Sequence, residues 1–234
     1  MIHILYEDRF ILVCRKLPGI LSQAGPGPNL PELLEEAYGG TVYPVHRLDR
    51  ETGGAMVFAR TRPGAAALSE AIRQNRLRKE YCCVVRGVPQ PGEGMWRDLL
   101  LHDKARNKSF VVQRMRGGVR EAELDYRVIA AEGGTALVRV RLHTGRTHQI
   151  RVQFASRGTP LLGDGKYGGG GGPLALWSCL LAFPHPKTGE EMLFRDFPSG
   201  GPWEIFEEAL QADFSGNPST ASGPPPLSGE AFGT

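Results

Sequence analysis

The chain has 234 residues, 41% of them hydrophobic, and its 28 lysines and arginines against 25 acidic residues leave a net charge of only +3. That is enough apolar material for a substantial core, and too small a charge excess to mark a nucleic-acid binder in bulk, so any basic surface has to come from local clustering. Cys14, Cys82, Cys83 and Cys179 form no Cys-x-x-Cys pair and no zinc-like spacing, which argues against a disulfide framework or a metal site and for reduced core thiols in a cytoplasmic protein. Acidic residues interrupt the N-terminal apolar run before a signal segment could form, and no stretch approaches the ~18 apolar residues of a membrane span.

Two short apolar runs, Ile2 to Leu5 and Phe10 to Val13, flank Tyr6-Glu7-Asp8-Arg9 and read as a hairpin leading into a sheet. Gly and Pro from Gln23 to Pro31 predict a loop, followed by a short helix over Glu32 to Tyr38. Ala55 to Ala59 is a continuous apolar run of buried-strand length. Pro63 opens a helix over Gly64 to Asn75, with Ala67, Leu68, Ala71 and Ile72 at helical spacing and a basic end at Arg73, Arg76, Arg78 and Lys79. Tyr81 to Val85 predicts a strand, Pro89 to Gly94 a turn, and His102 to Lys108 a charged loop. Glu121 to Ala130 and Thr135 to Leu142 are strands around Glu132-Gly133-Gly134, and Thr147 to Arg157 is a helix stopped by Gly158. The glycine run Gly168 to Gly172 predicts a mobile surface loop. The domain is expected to span residues 1–212, with a disordered Gly, Pro, Ser and Ala tail over 213–234.

Four islands concentrate unusual residue types. In His46-Arg47-Leu48-Asp49-Arg50-Glu51-Thr52-Gly53-Gly54 a carboxylate stands between two arginines ahead of a flexible Thr-Gly-Gly. Flanking cations favour an ionised carboxylate, which a nucleophile or general base requires, whereas an aspartate in a polar loop is otherwise a turn former or cap. The others are Lys16 to Ser22, Lys79-Glu80-Tyr81, and Arg141 to Arg151. Taken singly each has an ordinary explanation. Arg78 and Lys79 read as solvated charges ending a helix, Tyr81 as core, and His148 with Arg151 as a surface pair on one helix face.

In order and spacing, however, the chain resembles RNA pseudouridine synthases of the RluA type, whose central motif reads His-Arg-Leu-Asp-x-x-Thr-Ser-Gly. His46 to Gly54 matches it with Gly53 in place of the usual serine. Gly-Arg-x-His-Gln-Ile-Arg-Val stands at Gly145 to Val152, Gly-Asp-x-x-Tyr-Gly at Gly163 to Gly168, and Phe-x-His-Pro-x-Thr-Gly at Phe183 to Gly189, so the likeness runs from about Ile4 to Pro198. Gln153 replaces a frequent histidine, the Glu121 to Arg127 strand lacks its usual threonine, and Leu176-Trp177-Ser178 stands near a more usual Leu-His-Ala. Many relatives carry a small RNA-binding module ahead of this domain, and here none is expected.

The resemblance implies an α+β fold with a mixed, mainly antiparallel central sheet flanked by helices. It implies conversion of uridine to pseudouridine in ribosomal or transfer RNA, with no cofactor and no metal, by a protein expected to be a monomer with no membrane partner. Asp49 would be the nucleophile or base, Arg151 its ion-pair partner, and Tyr81 the residue that stacks on the target base and a candidate for removing its C5 proton. Arg47 would fill the space left by a flipped base, while His46, Arg146 and His148 would line the RNA surface. Arg76, Arg78, Lys79, Lys104, Arg106 and Lys108 are candidates for phosphate contacts. Two other classes compete: an idle RNA-binding or chaperone protein on the same fold, and a glycoside hydrolase with Asp164 as its general acid.

Overall fold

The computed structural model describes residues 2–215. Eleven strands form one sheet among these residues: β1 (His3–Glu7), β2 (Ile11–Lys16), β3 (Tyr43–Pro44), β4 (Gly53–Ala59), β5 (Arg78–Arg86), β6 (Glu93–Asp103), β7 (Lys108–Val112), β8 (Val119–Glu132), β9 (Thr135–Leu142), β10 (Leu176–Pro184) and β11 (Glu191–Arg195). The main path is β1-β2-β4-β10-β5-β9-β8-β6-β7, with β3 on β4 and β11 on β10. Every pairing is antiparallel except β4 with β10, so the sheet is mixed and mainly antiparallel, as expected.

Strand alternation divides the core. Leu12, Cys14, Met56, Tyr81 and Cys83 pack under α1 (Leu30–Tyr38) and α3 (Gln149–Ala155) through Leu30, Leu34, Ile150 and Phe154. Their strand neighbours Ile11, Val13 and Val57 pack under Leu68 of α2 (Arg62–Arg73), and Cys82 and Val84 pack under Trp203 and Phe206 of a 3-10 turn (Gly201–Phe206) and Leu210 and Phe214 of α4 (Glu207–Ser215). Phe154 also meets Trp96 at 4.7 Å and Tyr126 at 6.0 Å between ring centroids, which pins α3 to the sheet.

At the parallel junction Gly53 and Gly54 pair with Trp177 and Ser178. A Cβ on Gly53 would lie 2.1 Å from the Trp177 ring, and one on Gly54, which has φ +115°, would lie 2.4 Å from the Ser178 carbonyl oxygen. The two departures at Gly53 and Trp177 are therefore one feature: the indole occupies the room a serine side chain would take.

Several boundaries differ from expectation. The first helix begins at Leu30 because Asn29 caps it, its Oδ1 accepting the Glu32 N–H at 3.1 Å. Arg78 and Lys79 belong to β5 rather than to a helix end. The charged loop expected over His102 to Lys108 is the tip of the long β6–β7 hairpin, which the sequence did not reveal. The glycine run is not a loose loop at its start: Gly169 is buried and a Cβ there would lie 1.6 Å from the Leu161 carbonyl oxygen, while its N–H donates to the Asp164 carbonyl at 2.8 Å. The expected boundary at residue 212 falls inside α4, where Asp213 pairs with Arg127 and Arg139 and Phe214 is buried. The rest of the expected tail, 216–234, lies outside the described residues. No described helix is long and apolar enough to cross a membrane.

Candidate active site

The loop that carries Asp49 is held from below by the Lys16 to Ser22 segment. Lys16 is fully buried and its ammonium donates to the carbonyls of Leu17, Arg50 and Thr52 at 3.1, 2.8 and 2.8 Å. Burial pushes its pKa down to about 8, opposed by the charges of Glu51 and Asp49. Ser22 Oγ donates to the Leu48 carbonyl at 2.8 Å, and the Gly19 N–H donates to the Arg50 carbonyl at 2.9 Å. The carbonyls of Leu48, Arg50 and Thr52 around Asp49 are thereby fixed, and Asp49 lines a cleft of about 560 Å³.

Within that cleft Arg151, on α3, reaches Asp49 Oδ2 with Nη1 at 3.3 Å. Its stronger partner is the fully buried Asp164, which takes Nε at 2.7 Å and Nη2 at 2.8 Å as a two-pronged pair. Burial works against the charged guanidinium, and Asp164 and then Asp49 outweigh it, so its pKa is raised. The expected Arg151 to Asp49 pairing is therefore present but shared, because the Gly163 to Gly169 turn brings a second carboxylate beneath the guanidinium. That turn is built on Asp164, whose Oδ1 also accepts the N–H groups of Lys166 and Tyr167 at 3.1 and 3.2 Å.

Tyr167 completes the support. Its hydroxyl accepts the Ser109 N–H at 2.7 Å and bonds His148 Nδ1 at 3.0 Å, while Arg151 lies over its ring at 5.3 Å. Burial, partly offset by Asp49, holds His148 at a pKa of about 4. The neutral ring that accepts from Tyr167 carries its proton on Nε2, which faces Asp49 Oδ2 at 3.9 Å. His148 adopts the left-handed φ of +56° at the cap of α3, a conformation this bond helps to hold. Gln149 braces the preceding loop, accepting the Arg146 N–H at 3.0 Å and the Thr144 hydroxyl at 2.8 Å.

Tyr81 lies in the same cleft, only 5% exposed. Burial first, and the Asp49 charge second, raise its pKa well above the usual phenol value, so it presents a neutral hydroxyl on a flat ring. The geometry thus brings together an aspartate on a braced loop, a guanidinium it shares, a neutral imidazole and a buried tyrosine, without any described cluster of three or more His, Cys, Asp or Glu placed to hold a metal.

Residues 11–156 match the family model described as RNA pseudouridylate synthase. The chain belongs to that family. It is 35% identical over 208 residues to an uncharacterized RNA pseudouridine synthase, YhcT, of Bacillus subtilis, covering 83% of this chain and 68% of the relative. It is 32% identical over 219 residues to the ribosomal large subunit pseudouridine synthase D of Haemophilus influenzae, covering 82% and 65%. Among solved structures, human RNA pseudouridylate synthase domain containing 4 superposes with a TM-score of 0.72 at 25% identity, over 89% of this chain and 92% of that one. The chain thus spans about two thirds of the length of the curated relatives it matches, and the RluA-type assignment made from the motifs is met.

In this pseudouridine synthase Asp49, Tyr81, Arg151, His148, Arg47 and Arg146 all line one cleft. Arg47 and Arg146 are exposed at it, although Arg146 Nε is tied to the Glu121 carbonyl at 2.7 Å. His46 lines the cleft but is not a surface group: it is 8% exposed and its Nε2 accepts the Val57 N–H at 3.2 Å, because the strand edge of β4 needs an acceptor there. Arg78 pairs with Glu80 at 3.4 Å, which removes it from the free cations. Sequence reasoning missed Asp164 as the main partner of Arg151, and it missed Tyr167 and Gln149. The Gly-Asp-x-x-Tyr-Gly motif was the available signal for the first two.

Proposed function

We propose that this protein converts particular uridines of a structured RNA to pseudouridine, with Asp49 as the catalytic carboxylate and no cofactor. The observation that carries the reading is an aspartate braced through its backbone, lining a cleft, with one guanidinium nitrogen at 3.3 Å and the His148 Nε2 at 3.9 Å from its Oδ2. In the reaction the N1–C1′ bond of uridine breaks, a C5–C1′ bond forms, the C5 proton leaves and N1 gains a proton, so the product is an isomer. A carboxylate next to C1′ stabilises positive charge developing there or traps it covalently.

A uridine within a helix hides C1′ and C5, so the base is extruded into the cleft at a cost of a few kcal/mol. Arg47, exposed next to Asp49, fills the vacated stack with its planar guanidinium. Tyr81 stacks on the extruded base, and its neutral hydroxyl suits the delivery or relay of a proton better than direct abstraction by a phenolate. The name of the Haemophilus influenzae relative makes large-subunit ribosomal RNA the first RNA to test, with transfer RNA second, in a cytoplasmic and monomeric setting. The assay is tritium release from ribosomal RNA carrying tritium at uridine C5, since that proton leaves during the isomerisation. Wild type releases tritium, Asp49→Ala releases none, and release by both proteins would remove Asp49 from the chemistry.

A further inference from the structure

The last strand of the sheet has one unpaired edge, and through that edge the fold reaches Asp49. β7 pairs with β6 alone, so N–H groups on its outer side have no ladder partner. Ser109 is one of them: its N–H donates to the Tyr167 hydroxyl at 2.7 Å, and its Oγ–H donates to the Thr147 carbonyl at 2.6 Å. Ser109 is buried, and a buried N–H needs an acceptor, so capping a strand edge is an ordinary reason for Tyr167 to stand there.

The direction of the bonds supplies a second reason. A peptide N–H can only donate, so the phenol oxygen accepts from Ser109 and its single O–H is left for His148 Nδ1 at 3.0 Å. Burial pushes the Tyr167 pKa up, which keeps that O–H in place at neutral pH. The imidazole proton then sits on Nε2, facing Asp49 Oδ2 at 3.9 Å. The backbone beneath the ring is fixed as well, since the Thr147 carbonyl is held by Ser109 and His148 itself has φ +56°. Arg151, whose Nη1 lies 3.3 Å from the same Oδ2, stands over the Tyr167 ring at 5.3 Å. Both donors that face Oδ2 thus rest on Tyr167, one on its hydroxyl and one on its ring, while Oδ1 has no hydrogen bond among the described residues.

We infer that Tyr167 is a positioning residue for Asp49: it orients the His148 and Arg151 donors toward Oδ2 and so presents Oδ1 as the oxygen that faces the substrate. The inference rests on the pseudouridylation reading above. Catalytic hydrogen bonds tighten as a substrate settles, and turning the 3.9 Å approach of His148 into one takes a movement of about 1 Å. A carboxylate whose neighbours are themselves locked by a further layer of bonds keeps the geometry the reaction needs.

The test uses the whole chain as wild type, Tyr167→Phe, His148→Asn and the double variant. Tyr167→Phe keeps the ring and removes the hydroxyl, whereas asparagine accepts positive φ but is too short to take the place of Nε2. Nitrogen-15 spectra of the histidines, with the His148 signals identified by their loss in His148→Asn, read the tautomer at neutral pH. Wild type should show a proton on Nε2 and a hydrogen-bonded Nδ1, and Tyr167→Phe should move the Nδ1 resonance to that of a free acceptor. A proton on Nδ1 in wild type, or an Nδ1 resonance that Tyr167→Phe leaves in place, overturns the inference. In tritium release each single variant should lower kcat roughly tenfold with KM changed less than about twofold, and the double variant should fall no further. A Tyr167→Phe protein that melts earlier but turns over at the wild-type rate is one that lost only a strand-edge cap. That result, or losses that multiply in the double variant, removes Tyr167 from the positioning of Asp49. If wild type releases no tritium from any RNA, the modification reading fails, and the nitrogen spectra alone decide the hydrogen-bond chain.

Discussion

Restoring the serine that relatives carry at position 53 should damage this protein, because Trp177 has taken its place. A Cβ on Gly53 would stand 2.1, 2.5 and 2.8 Å from the Trp177 ring atoms Cζ3, Cε3 and Cη2. To reach the ~3.5 Å of normal carbon contact, the ring has to withdraw by more than about 1 Å. It is not free to do so: its Nε1 donates to Asp196 Oδ2 at 3.1 Å, and Asp196 is itself paired with Arg15 of β2. Overpacking of this kind costs about 1–3 kcal/mol, and loss of the indole hydrogen bond about 1 kcal/mol. For a domain of this size, a total of about 2–4 kcal/mol lowers the thermal midpoint by about 5–15 °C. Trp177→His alone leaves a void beside Gly53 and costs about 2–3 kcal/mol. The double variant fills that void with the serine, so urea unfolding of all four proteins should show a favourable coupling of about 2 kcal/mol or more. Effects that add to within ~0.5 kcal/mol would refute the compensation.

Three further outcomes follow from the site. Asp164→Ala strands the Arg151 guanidinium, whose side chain is 8% exposed, and should cost about 3–5 kcal/mol in urea unfolding; Asp164→Asn should cost less and lower kcat more than it raises KM, and an unaltered kcat would remove Asp164 from the support of Arg151. His46, held near a pKa of 3 by burial, stays neutral in the fold while the unfolded chain takes up a proton below about 6.5. Its contribution is therefore complete above that pH and is lost as pH falls towards 3, so the stability advantage of wild type over His46→Gln should shrink by about 1.4 kcal/mol between pH 7.5 and 5.5. A difference that holds constant across that range would mean that the ring takes up its proton in the fold at the same pH as in the unfolded chain. Tyr81→Phe should preserve RNA binding and abolish tritium release if the hydroxyl moves a proton, whereas retained turnover would leave stacking as its whole role.

Much of the fold was readable where one physical signal acts alone. Leu68, Ala71 and Ile72 at helical spacing gave α2, and the unbroken apolar run to Ala59 gave β4. The Gly145 to Val152 motif brought His148 and Arg151 to one place, as the structure bears out. The β6–β7 hairpin escaped because it is a two-stranded edge with weak apolar patterning, where even Met95 is 51% exposed. Asn29 was passed over because Gly and Pro around it read as loop, although Asn followed by Pro31 is also a helix start. The pairing of Arg151 with Asp164 depends on a turn whose closure needs Gly169 to touch the Leu161 backbone, a tertiary contact that neither residue announces. His46 looked like an RNA contact from its motif, and only the register of β4 shows that its Nε2 serves Val57.

The central claim is that Asp49 modifies a uridine of cellular RNA. Carbodiimide-labelled primer extension across ribosomal and transfer RNA tests it most directly, using a strain lacking this protein complemented with wild type or Asp49→Ala. The account predicts a uridine-specific stop that returns only with wild type. The same stop with both proteins would contradict the role of Asp49, and no stop with either would leave an RNA-binding protein on a synthase fold.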